Sequence, residues 1–309
     1  MLNGHPNVSD AVRARVTQAI EQLGYRRNST ARALATRRSS ILGVVCVGMP
    51  FHGPTSMLFA VEEAARSHGY YISLANLSAV DRASMREALD RLIRASVEGI
   101  VVIAPVVAAV NAMDGLATQT PLVMVEAGDR TGPGAFVDQE AGARLATAHL
   151  MDLGHRTVHH VRGPQEWHEA EARVQGWLKE LVDRGARVPA VLSGDWSARS
   201  GYVAGWRLAA DPEVSAVFAA NDQMALGVLK ALRDAGRDVP GAVSVVGFDN
   251  TPESEFFSPA LTTVAQDFQE AGRRCVAHLL SLVEDRAAVP QEPIKPELVI
   301  RDTTAAAPH

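Results

Sequence analysis

At 309 residues, with 47% apolar and 21% charged side chains, the chain has the composition of a folded globular protein and room for two α/β lobes plus an appendage. Its net charge of -5 conceals an asymmetry: residues 1–38 hold seven arginines against Asp10 and Glu21, leaving 23 basic and 33 acidic groups on a body that should not adsorb to nucleic acid by itself. No basic-then-apolar leader opens MLNGHPNVSD, apolar runs such as Ile100 to Val110 are too short for a bilayer span, and Cys46 with Cys275 make neither a disulfide framework nor a zinc site, so a cytoplasmic location is expected.

The first predicted element is a helix capped by Ser9, with Val12, Val16, Ala19, Ile20 and Leu23 at helical spacing and Gly24 as its stop. Nothing before Val8 can cover its apolar face, so it reads as the last member of a bundle. Asn28 to Ala35 follows, an Ala-rich, Arg-bearing segment of helical propensity that would be marginal alone. From Ile41 onward, Val/Ile-rich runs alternate with helical patterns, the signature of repeated βαβ units and a parallel sheet. Strands are expected at 41–47, 71–75, 99–103, 122–125, 157–161, 190–192, 216–219 and 243–247. Helices are expected at 57–68, 141–153, 167–184 and 223–235, each closed by a glycine C-cap: Gly69, Gly154, Gly185 and Gly236. Ala305 to His309 reads as a frayed tail.

In open parallel sheets, ligands bind beyond the carboxyl ends of the strands. AANDQMALG places Asp222 as the N-cap of a helix and leaves Asn221 pointing into the crevice, with a donor and an acceptor for two neighbouring sugar hydroxyls. The competing reading is a turn-forming Asn bonded to its own backbone. Asp249, after the apolar run VSVVGF, could accept from two hydroxyls or act as a turn-former. His159 and His160 are adjacent in a strand and face opposite ways, against a shared metal site. No P-loop, GxSxG or HExxH is present, so neither an enzyme nor a cofactor is expected.

The sequence resembles the lactose-repressor (LacI/GalR) family of transcriptional regulators over essentially its whole length. LNGHPNVSDAVRARV and LGYRRNSTARALATRRS are similar to the end of that family's DNA-binding head and its hinge helix. GDWSARSGY, AANDQMALG, VSVVGFDNTPES and LTTVAQDF are similar to its sugar-binding lobe. The resemblance implies an α/β fold: a two-lobed, periplasmic-binding-protein-like core of two parallel-sheet Rossmann-like subdomains behind a partial helical head and hinge helix. Its boundaries would be 1–27 for the remnant of a helix-turn-helix domain, 28–38 for the hinge helix and 39–309 for the effector-binding, dimerising core. Within the core the N-subdomain would take about 39–137 and 268–296, and the C-subdomain 138–267 and 297–309. Met1 falls where family members are leaving their recognition helix, so the head is expected to be truncated.

The resemblance implies DNA contacts at Asn3, Ser9, Asn28, Arg32 and Leu34, with Leu34 either a minor-groove wedge or a packing residue. For the effector it implies Arg173, whose fork suits hydroxyl recognition or pairs with Glu169 on the same helix. It also implies Trp196 as a stacking platform or core tryptophan, and Gln266 and Phe268 at the lobe crossover. Phe51, Pro54 and Met57 would form an apolar wall, although Met57 alone is more often core. Glu126 stands where the pattern has a shorter aspartate, while Ile103, Val137 and Val47 replace an amide, an aromatic and a hydroxyl, which predicts an effector other than allolactose. The expected function is that of a sugar-responsive transcriptional regulator, a homodimer acting as a repressor on operator DNA in the family's manner; the alternative is a receptor-like sugar-binding protein without autonomous DNA binding.

Overall fold

The computed structural model describes residues 10–22, 38–47, 51–77, 80–113, 119–125, 137–287 and 292–308. Contacts divide the chain after Ser40. The described parts of the first unit are residues 38–40 and helix α1 (Asp10–Gln22), on which Val12 and Ala19 are exposed. Ser9, Gly24 and the expected hinge segment, with Asn3, Asn28, Arg32 and Leu34, lie outside the described residues, as does Glu126.

The second unit alternates strands and helices: β1 (Ile41–Val47), α2 (His52–Ser67), β2 (Tyr71–Leu77), α3 (Arg82–Arg94), β3 (Gly99–Ile103), α4 (Val107–Met113), β4 (Leu122–Val125), α5 (Gln139–Asp152), β5 (His159–Arg162), α6 (His168–Asp183), β6 (Leu192–Ser193), α7 (Ala198–Ala209), β7 (Ala216–Ala219), α8 (Asp222–Asp234), β8 (Ser244–Asp249), β9 (Thr262–Ala265), α9 (Phe268–Val283) and β10 (Glu297–Val299). The strands form two sheets, one ordered β2-β1-β3-β4 and the other β10-β9-β8-β7-β5-β6. All pairings are parallel except β9 with β10, which run antiparallel and correct the expectation of purely parallel pairing. β9 and β10 carry no long apolar run, which is why the sequence pattern passed over them as strands.

Helices cover both faces of each sheet, so strands such as β1 and β8 are buried almost throughout and read as continuous apolar runs. Residues of α2 and α9 share one core cluster with β1 and β3, while α5 and α6 share another with β7 and β8. A third cluster runs from the α3 side of the first sheet through Val106 and Trp167 to the α7 and α8 side of the second. The chain passes from the first sheet to the second after β4, returns after β9 to place α9 against α2, and crosses again to β10.

Local chemistry sets the helix ends. Asp81, Asp138, Ser197, Asn221 and Asp267 each accept an amide hydrogen bond at a helix N-terminus. Gly69, Gly154, Gly185 and Gly236 adopt φ of 78°, 91°, 64° and 72°, one residue past the C-caps His68, Leu153, Arg184 and Ala235. They are thus the left-handed residues after the cap rather than the caps themselves. The tail is not frayed through its described length: the Ala305 amide donates to Ser244 Oγ at 3.1 Å and the Ala307 amide to the Leu153 carbonyl at 2.9 Å.

Candidate ligand-binding cleft

The polar residues singled out in the sequence converge at the carboxyl ends of the second sheet. Arg173, from α6, is buried with its guanidinium 3.8 Å from the centre of the Phe248 ring and 5.5 Å from that of Trp196. Its Nε donates to Gln139 Oε1 at 2.9 Å, and Gln139 Nε2 donates to Gln266 Oε1 at 2.7 Å. Gln266 Nε2 donates in turn to Asp249 Oδ1 at 2.7 Å, and that oxygen lies 3.6 Å from Arg173 Nη2. The four side chains close a ring. Arg173 Nη1 also donates to the Ala220 carbonyl at the tip of β7. Every link is a donor or acceptor that a vicinal diol could replace, because a hydroxyl both gives and takes a hydrogen bond. The pairing also compensates the buried charge, and removing one partner from such a pair costs about 3–5 kcal/mol.

Asn221 and Asp222 exchange the roles expected of them. Asn221, with φ -153° and ψ 168°, is the N-cap of α8, and its Oδ1 accepts the Met224 amide at 2.9 Å. Its Nδ2 donates to the Trp196 carbonyl and to Gln223 Oε1, each at 3.1 Å. The acceptor is therefore committed to the helix, and what Asn221 can offer a ligand is the N–H now given to Gln223. Asp222 is fully buried one residue later, where its carboxylate accepts the Thr251 amide at 2.8 Å and the Thr263 hydroxyl. Burial, with the neighbouring Asp249 charge, raises its pKa to about 7.

Trp196 has φ 71°, and Asp249 and Asn250 have φ of 107° and 53°. Left-handed backbone at side-chain-bearing residues is strained and persists where surrounding contacts enforce it. Here Asp195 accepts the Ser197 amide at 2.9 Å beside Trp196, while Arg301 Nη2 donates to Asn250 Oδ1 at 2.7 Å. The Trp196 indole rests on Gly163, where an added Cβ would come within 2.2 Å of the ring. Its buried N–H meets no hydrogen-bond partner among the described residues.

The wall expected on the first lobe is only partly assembled. Phe51 is half-buried and meets Trp167 edge to face at 5.4 Å, and Phe268 meets His52 at 5.9 Å. Pro54 is buried at the start of α2, whereas Met57 packs in the core with Val44, Val61 and Cys275. Val47, Ile103 and Val137 are buried too. His160 stacks between Trp177 and Phe218, and burial lowers its pKa to about 3, which keeps it neutral. No group of three or more His, Cys, Asp or Glu side chains suited to a metal occurs among the described residues. Gln139 and Trp167 were missed in the sequence: Gln139 follows a helix cap like many surface amides, but Trp167, a tryptophan just beyond a strand tip, was a usable signal.

Residues 147–304 match the periplasmic binding protein-like domain family. The chain is 31% identical to the lactose operon repressor of Escherichia coli (strain K12), over 99% of this chain and 86% of that protein. Its fold is similar to a lac repressor bound to ONPG in the repressed state, with a TM-score of 0.87 at 30% identity over 98% of this chain and 93% of that one. It is also similar to the lac repressor dimer bound to operator and the anti-inducer ONPF, with a TM-score of 0.82 at 31% identity over 91% of this chain and 100% of that one.

Proposed function

Because the chain belongs to the lactose-repressor (LacI/GalR) family, we propose that it is a sugar-responsive transcriptional repressor whose effector binds between the two lobes and controls engagement of operator DNA through residues 28–38. The observation that carries the reading is the closed ring of Arg173, Gln139, Gln266 and Asp249 at the strand tips. A sugar entering it exchanges these side-chain bonds for its own hydroxyls, takes an N–H from Asn221 and the unpartnered indole N–H of Trp196, and lays an apolar face on aromatic rings. Gln266 lies just before the crossover into α9, so a change in its partners acts on the connection between lobes.

The protein works as a homodimer. Val203 and Trp206 on α7 and Leu226 on α8 are exposed apolar residues fit to be covered by a second copy. Sugar and operator then act by linkage, each changing the other's affinity by the same factor.

A thermal-shift series with D-galactose, D-glucose, D-ribose and lactose tests the effector half, since a ligand that prefers the folded state raises its apparent stability. At least one sugar should raise Tm, and Asp249→Ala should abolish the rise; an undiminished shift in that variant would place the sugar elsewhere. Selection of random duplexes on the same protein tests the DNA half. A sugar shift without any enriched duplex would leave a receptor and defeat the repressor reading.

A further inference from the structure

Beyond β3 and β5, two tips from different sheets touch. The Val107 amide donates to the Glu166 carbonyl and the His168 amide to the Pro105 carbonyl, both at 3.0 Å, so Val106 and Trp167 form an antiparallel bridge. Trp167 stands at its centre and is 8% exposed. Its indole meets Phe51 of the first lobe at 5.4 Å and 88°, and Trp196 of the second at 5.6 Å and 73°. Trp196 is itself only 5% exposed, with Gly163 beneath its ring, the Arg173 guanidinium nearby and Trp167 on the side leading to Phe51.

We propose that Trp167 is a specificity-determining residue: its indole closes the space beyond Trp196 and restricts the cleft to an unsubstituted monosaccharide, excluding glycosides with a bulky aglycone. The inference rests on the effector-cleft reading above. A sugar held by Arg173 and Asp249 lies on the near side of Trp196, and any group extending from it towards Phe51 meets the Trp167 indole. That indole is packed from both lobes and backed by two backbone hydrogen bonds, so it does not yield as a surface side chain would.

The test is calorimetric titration of the wild type, Trp167→Ala and Trp167→Phe with D-galactose and D-glucose and with their o-nitrophenyl glycosides. The wild type should favour the free sugar by about tenfold or more, a discrimination within reach of steric exclusion in a pocket. Trp167→Ala should erase that preference by raising glycoside affinity while free-sugar affinity stays within about threefold, and Trp167→Phe should fall between. Glycoside binding by Trp167→Ala alone would support the filter equally. An unchanged preference, equal loss of both ligand classes, or no binding by any of the three proteins would overturn it. Hydrogen exchange in the unliganded proteins reads the bridge directly: in Trp167→Ala the Val107 and His168 amides should exchange faster together while β3 and β5 stay protected, and unchanged exchange at both would also overturn the proposal. If Asp249→Ala abolishes sugar binding while these ratios stay fixed, the size filter alone fails.

Discussion

Asn221→Ala separates two duties held by one side chain. Its Oδ1 caps α8 through the Met224 amide at 2.9 Å, and its Nδ2 holds the Trp196 carbonyl at 3.1 Å, the residue kept at φ 71°. Losing the cap costs about 1 kcal/mol. Leaving a buried carbonyl without its donor costs roughly 1–3 kcal/mol more. A total of about 2–4 kcal/mol in a chain of this size lowers Tm by roughly 4–8 °C. Asn221→Ser keeps a capping oxygen and should recover about 1 kcal/mol of that loss, yet it cannot reach the Trp196 carbonyl or present an amide N–H to a sugar. Thermal unfolding with and without the sugar found by the shift series resolves the duties. The Ser variant should be more stable than the Ala variant, while its sugar affinity falls about fivefold to tenfold, the worth of one neutral hydrogen bond. Equal stability of the two variants would refute the capping role, and wild-type sugar affinity in the Ser variant would refute the donor role.

Asp222→Asn should change the pH dependence of stability. A carboxyl whose folded pKa of about 7 lies above its ordinary 3.8 favours the native state only while protonated, so stability falls as pH climbs between those values and levels off beyond. The whole effect is on the order of 4 kcal/mol, and unfolding measured from pH 4 to pH 8 should be flatter by that amount in the variant; superimposable profiles would dismiss it. Gly163→Ala brings a methyl within 2.2 Å of the Trp196 ring, so the indole must move at a cost of about 1–3 kcal/mol. Tryptophan emission should shift along with Tm, and an unshifted spectrum would show that the ring is not seated on Gly163. Trp206→Glu places a charge on the exposed α7 face and should weaken self-association in sedimentation, with no change in dimer stability counting against that face as the contact.

The alternation of Val/Ile runs with helical patterns determined the α/β class, because strands buried on both faces have no polar alternation to hide them. It also located most strands and the glycines that end the helices: those glycines adopt the left-handed backbone that other residues resist. Asn221, Arg173, Trp196, Asp249 and Gln266 were legible as strand-tip or motif residues before their contacts were known. What they touch was not legible. Whether Asn221 or Asp222 caps α8 turns on a one-residue difference in where the backbone becomes helical. The ring that joins Arg173 to Gln139 and Gln266 brings together residues 34 and 127 positions apart in the chain, a juxtaposition only the packed sheets create. Trp167 carries the same lesson. Its identity is written in the sequence, but its place between Phe51 and Trp196 depends on two strand tips from different sheets meeting, and no local pattern specifies that meeting.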